Sequence, residues 1–239
     1  MASYDPQQHR PLAFHFGQDP QAAAESLLAL VLWMLGYPDQ ARGVSQAALA
    51  HSRDLPHSNT LAYTRFFGGA MLAAFLHEAE ALEEHGEALK VLSEEQGLAL
   101  WWALARTVES WTIAIRGHWE EGIACIAEGL AALRATGSDF LRPFWLSLLA
   151  EAYRVGGQTA EGLRVVDEAL GLTETAGERL LEAELCRLKG ELLLREDVGD
   201  ETRAEGQLQQ ALAIARAQQA KSLELRAAIS LSRLWQRQG

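Results

Sequence analysis

Histidines and carboxylates are the first residues in this chain whose types could do chemistry. His77-Glu78-Ala79-Glu80-Ala81 opens like the helix of a zinc protease, where two histidines four residues apart hold the metal and the glutamate activates water. Ala81 stands where the second histidine is needed, so the pattern does not make a metal site. The stretch from Glu78 to Glu87 reads as a solvated helix face, with His77 and His85 as polar helix-surface residues. His9 and His15 stand in an N-terminal segment without regular pattern. Cys125 and Cys186 are too far apart for a metal spacing and are expected as buried free thiols in a reducing, cytoplasmic setting. Neither a Gly-x-Ser-x-Gly nucleophile elbow nor a glycine-rich phosphate loop occurs, and no pattern supports a glycosidase-like carboxylate pair. These readings predict no catalytic residue, no metal and no cofactor, and a protein that is not an enzyme.

The composition points to a helical scaffold. Of 239 residues 49% are hydrophobic, prolines number 6, and Ala, Leu, Glu, Gln and Arg dominate, residues that lose little side-chain freedom in a helix. Alternating runs of Val, Ile and Thr are nearly absent, which argues against sheet. The net charge of −11 repels phosphate backbones and argues against duplex nucleic acid as a partner. The longest apolar run, Leu27 to Leu35, is about half of the ~20 residues a bilayer helix needs, and no signal peptide is visible, so no membrane is expected.

Self-similarity carries most of the information. Gly117 and Gly157 are 40 residues apart, as are Glu121-Gly122-Ile123 and Glu161-Gly162-Leu163, Gly129-Leu130 and Ala169-Leu170, and Ala135-Thr136-Gly137 and Thr175-Ala176-Gly177. Each unit reads as two helices. In the clearest, one helix runs from about Leu141 to Val155, starts at Pro143 and stops at Gly156-Gly157; the next runs from about Thr159 to Thr173. Leu146, Leu149, Ala150 and Tyr153, then Leu163, Val166, Ala169 and Leu170, recur at helical spacing.

Leu149-Ala150, Tyr153, Gly157, Gly162 and Ala169 resemble the tetratricopeptide pattern, in which small residues sit where the two helices touch. So do Gly117, Gly122, Ile126 and Gly129; Leu28-Ala29, Leu32, Gly36, Ala41 and Ala48; Gly190, Leu193, Ala204, Leu208 and Ala211; and Leu231-Ser232, Trp235 and Gly239. The resemblance implies an all-α solenoid of antiparallel helix pairs, TPR-like with a period near 40 residues, forming a right-handed superhelix. One repeat domain over 1–239 is expected, with units at 20–57, 58–96, 97–137, 138–177 and 178–219 and a terminal helix at 220–239. The second unit lacks the turn glycine, and its junction falls near His77 to Ala81. The fifth carries an extra loop, Glu196-Asp197-Val198-Gly199-Asp200, expected to be exposed.

Tyr4-Asp5-Pro6-Gln7-Gln8-His9-Arg10, Leu35-Gly36-Tyr37-Pro38-Asp39-Gln40-Ala41, Gly129 to Gly137 and Ala220 to Ala228 resemble the C-terminal repeat region of large bacterial signalling proteins. Those proteins join a class III adenylate/guanylate cyclase or kinase domain to a regulatory ATPase of the type used by the maltose-regulon activator. The resemblance spans the chain, carries no catalytic residue and implies a sensory or scaffolding role. It also implies a piece of a longer protein, in which the terminal helix is a first helix without its partner, free to expose an apolar face and to join copies into a homo-oligomer.

Seven tryptophans then need placing. Each buries ~150–250 Å², which makes most of them inter-helix core, Trp119 and Trp235 included. Helical register puts others on the concave wall of the superhelix: Leu30 and Trp33, Thr107 and Trp111, Phe144, Ser147, Glu151 and Arg154, then Glu184, Arg187 and Glu191, and finally Arg226, Ile229, Arg233 and Arg237. That wall runs from aromatic to arginine-rich. It suits a peptide or protein segment with an apolar anchor and a carboxylate, so the expected function is a protein-interaction module. The alternative is a ligand-sensing domain in which a small molecule or short peptide closes the groove. If neither applies, Arg and Glu simply pair across neighbouring helices.

Overall fold

A computed structural model describes residues 4–137, 141–196 and 201–238. Among these residues all regular structure is helical. Short turns at Pro6–His9, Arg10–Leu12 and Ala13–Phe16 replace the irregular N-terminal segment expected from sequence. Helix pairs follow: α1 (Pro20–Met34) with α2 (Pro38–Arg53); α3 with α4 (Ala79–Gln96); α5 (Ala99–Ile115) with α6 (Trp119–Ala135); α7 (Arg142–Val155) with α8 (Thr159–Ala176); α9 (Glu182–Glu196) with α10 (Glu201–Ala217); and last α11 (Lys221–Gln238). Helix α3 is compound, with Ser58–Thr64 and Leu72–Leu76 flanking a π-helical stretch, Arg65–Met71. The loop at 197–200 and Gly239 lie outside the described residues.

Local chemistry sets these boundaries. Asp19 caps α1, its carboxylate accepting from the Gln21 and Ala22 amides at 3.0 and 3.1 Å, and Pro20 opens the first turn where no amide is needed. Gly36, Gly117 and Gly157 turn the chain within pairs, all at positive φ. His77 takes that place in the second pair at φ 57, a left-handed conformation that histidine tolerates better than most side chains. The expected junction is therefore a single left-handed histidine. The long period follows from the helices themselves: α5 and α6 have 17 residues each.

The two helices of a pair are buried differently. Helix α6 buries one stripe, Gly122, Ile126, Gly129 and Leu133, whereas α5 buries Trp101, Ala103, Leu104, Ala105, Thr107, Val108, Ser110, Trp111, Thr112 and Ala114. First helices thus form an inner layer and second helices an outer one. Their close approach needs small residues: a Cβ on Gly122 would lie within 2.8 Å of Ala114 backbone.

The superhelix closes on itself. Helix α11 returns to α1, where the Ser222 hydroxyl donates to the Trp33 carbonyl at 2.5 Å. Arg226 donates to the Phe75 carbonyl of α3 at 2.6 Å and lies 5.2 Å from the centre of the Trp33 ring. The last helix therefore does not stand alone. Its Leu223, Ala227, Ser230, Leu231 and Leu234 are buried, while Leu225, Ile229 and Trp235 stay exposed. Trp235, expected in the core, is 50% exposed and donates to Glu205 at 3.0 Å.

Candidate functional site

Closure turns the expected open groove into a filled lumen. Trp33 stacks on Phe75 at 4.6 Å, Phe75 meets Phe144 edge-on at 5.8 Å, and His77 meets Trp111 at 6.1 Å. Trp33 is 4% and Trp111 2% exposed. A cavity of about 40 Å³ remains among them, bounded by Phe75, His77, Trp111, Phe144, Glu184 and Arg226. That is room for a few waters. The Trp111 indole nitrogen is buried there with no acceptor among the protein groups.

The charged residues of the wall come together and bind each other. Arg187 reaches Glu184 at 2.8 Å and Glu191 at 2.5 Å; Arg226 reaches Glu184 at 3.1 Å; Arg154 reaches Glu151 at 2.5 Å and Glu191 at 3.7 Å. Ser230 donates to Glu191 at 2.6 Å. Burial opposes the charge on Glu184, but Arg187 and Arg226 outweigh it and hold the carboxyl at about 2. Arg187 is raised for the reciprocal reason, Glu184 and Glu191 overcoming its burial. Desolvation and the nearby Arg226 hold His77 below the ordinary imidazole value, with Glu184 and Glu151 opposing. The two histidines expected on a helix surface thus part company: His77 borders the lumen, and His85 is half-buried over Gly69.

Of the ten residues expected to form the binding wall, Trp33, Trp111, Phe144, Glu151, Arg154, Arg187, Glu191 and Arg226 do share this interior. Trp33, Trp111 and Phe144 are buried there, whereas the charged residues are half-buried and pair with one another. Thr107 lies elsewhere: it is fully buried against Gly129 of α6, its hydroxyl donating to the Ala103 carbonyl at 3.0 Å. Arg233 is exposed at the far end, where it borders a 220 Å³ basin with Arg154, Glu191, Arg195 and Arg237.

The lumen opens at its near end. A cavity of about 640 Å³ lies between Met34, Met71, Pro143, Phe144, Leu181 and Ala220, with Arg179, Leu180 and Gln218 on its rim. This mouth is mostly apolar and falls in the size range of small-molecule pockets. Sequence reading missed it, because its residues come from helix ends and turns, which carry no periodic signal. It also missed the clamp around Asp19, whose carboxylate accepts from the Tyr4 hydroxyl at 2.5 Å and pairs with His51 at 3.1 Å. That cluster ties the N-terminal segment to α1 and α2.

Among the described residues no three His, Cys, Asp or Glu side chains converge as metal ligands, and no helix is long and apolar enough to cross a membrane. Cys186 is buried, and burial with Glu182 nearby lifts its thiol to about 11; Cys125 is half-buried rather than buried.

No family model matches the chain. An uncharacterized protein of Rhizobium meliloti (strain 1021) is 25% identical over 236 residues; the match covers 98% of this chain and spans 23% of that protein. Two crystal structures of a putative kinesin light chain of Podosopora anserina, built of nearly identical TPR-like repeats, are similar in fold. One, of a point variant, has a TM-score of 0.50 at 14% identity, covering 83% of this chain and 98% of that one; the other has 0.48 at 14%, covering 84% and 99%. In fold the chain is a TPR-like all-α solenoid.

Proposed function

We propose that this chain is the regulatory interaction module of a larger bacterial signalling protein, working in the cytoplasm, and that it binds a short ligand at the mouth of its lumen without turning it over. The observation that carries this reading is enclosure. While α11 sits on α1 and α3, an extended peptide cannot reach Trp111 or Arg187, whereas the 640 Å³ mouth takes a small molecule or the apolar end of a peptide. The mouth also touches the hinge of the closing helix. Gln218 and Ala220 line it, and Gln219 between them is left-handed at φ 56, just before α11 begins. An occupant pressing there biases whether α11 docks, which gives an attached domain something to read. The match of nearly the whole chain to 23% of a longer bacterial protein supports the modular setting.

The test is thermal stabilisation of the intact chain by metabolites and short apolar peptides. A ligand at 100 times its Kd adds about 2.7 kcal/mol. The stabilisation should be saturable and lost in Leu180→Arg, which charges the exposed rim without touching the core. Capture of an extended protein partner whose binding is unchanged in Leu180→Arg, with no stabilising short ligand, would overturn the lumen reading in favour of a conventional scaffold.

A further inference from the structure

We propose that the outward groove between α2, α3 and α4 is a second binding site, for a small oxyanion of the phosphate class. This groove lies on the side of α3 away from the lumen and encloses about 280 Å³. Arg42, Arg53, Glu78, Glu84 and His85 line it. Arg42 is engaged by Glu78 and Asp39 at 2.7 and 2.8 Å, which leaves Arg53 and His85, together with Arg65, facing Glu84 as the neighbouring carboxylate. Glu78 and Asp39 already neutralise Arg42, so what is left to meet an occupant is Arg53, with Arg65 close by, against Glu84.

The backbone of α3 is built around this spot. The π-helical stretch Arg65–Met71 adds a residue to the turn, and such insertions recur at functional sites. It brings Gly69 to the groove floor, where the imidazole of His85 lies on the bare backbone; a Cβ there would come within 2.7 Å of the ring. Arg65 precedes Gly69 by one turn on the same face. Its Nη1 is buried, as is Nδ1 of His85, and neither finds a partner among the protein groups. Burial and the adjacent Arg53 hold Arg65 below the ordinary arginine value, with Glu84 opposing. Burial, Arg65 and Arg53 do the same to His85 against the pull of Glu84. Arg53 on α2 and His85 on α4 line the groove, and Arg65 on α3 lies near enough to act on both electrostatically. Groups approaching from different helices suit a tetrahedral oxyanion better than a planar carboxylate, and a dianion answers two guanidinium groups.

The experiment follows the ring C–H resonances of His85 in the intact chain by NMR. Inorganic phosphate, sulfate, acetate and a small phosphomonoester are titrated in turn, with ionic strength held constant by chloride. Phosphate, sulfate and the phosphomonoester should each give a saturable shift, and acetate should not. Arg53→Gln and Arg65→Gln should each weaken binding about tenfold or more, and Arg164→Gln on the far surface should leave it unchanged. Arg53 is exposed, so its variant folds even if Arg65→Gln does not. The proposal is overturned if no anion shifts His85 beyond chloride, if acetate matches sulfate, or if Arg53→Gln binds as tightly as the parent. Leu180→Arg should leave this titration intact, which separates the site from the lumen.

Discussion

Glu184 shows how residue chemistry and tertiary closure depend on each other. Its carboxylate is the only acceptor that joins Arg187 of its own helix to Arg226 of α11 among the ion pairs of the described residues. Removing one member of such a buried network strands the others, so Glu184→Gln should destabilise the chain by about 3–5 kcal/mol at pH 7, measured by chemical denaturation. The folded carboxyl, at about 2, lies below its ordinary value of 4.5. A group depressed by folding stabilises the fold above its unfolded pKa, and that contribution fades as pH falls from about 4.5 toward 2. The parent should therefore lose more stability across that window than Glu184→Gln; parallel losses would show that Glu184 does not carry the acid sensitivity. Helical register, which is local, put Arg187, Glu191 and Arg226 on inward faces in the sequence, but not their pairing with one another. Phe75 and His77 were not legible there, because their partners lie tens to hundreds of residues away in the chain.

At the scale of elements, the glycines divide into two kinds that sequence alone does not separate. Gly122 sits where α6 crosses α5, with Ala114 atoms 2.5–2.8 Å from any added Cβ. Gly122→Ala should push the pair apart and cost about 1–3 kcal/mol. Gly171 stands on the open face of α8, with nothing within 4 Å, and Gly171→Ala should instead stabilise by about 0.5–1 kcal/mol through helix propensity. Thermal and urea denaturation of the two variants check both signs. Spacing of 40 residues pointed to Gly122 and Gly162 as contact glycines, and the Leu192 side chain does lie 2.8 Å from a Cβ on Gly162. His77 was opaque at this scale, since a left-handed histidine has no sequence signature comparable to glycine.

The whole molecule is decided by the seam between its first and last helices. Arg226 holds three partners there: the Phe75 carbonyl, Glu184 and the face of Trp33. Arg226→Ala should release α11 and expose Trp33. Small-angle scattering should show a radius of gyration above the about 18 Å expected of a compact domain of this length, and Trp fluorescence should shift to the red. Arg237→Ala, at the exposed end of the same helix, should do neither. An unchanged radius in Arg226→Ala would mean that apolar packing, not this residue, closes the ring.

The sequence by itself determined the helices, their pairing and which face of each is apolar, because periodicity of 3.6 and small residues at contacts are written locally. Register also placed inward-facing residues on the first helices, but it misplaced Thr107, Arg233 and Trp235. What those inward faces meet was decided only by the tertiary structure. The curvature of a solenoid is the sum of small rotations at each interface, and no single unit states whether that sum leaves an open groove or returns the last helix to the first. Here it returns, so Trp111 is core, Arg187 is half-buried among its carboxylate partners, and the ligand-sized space lies at the mouth.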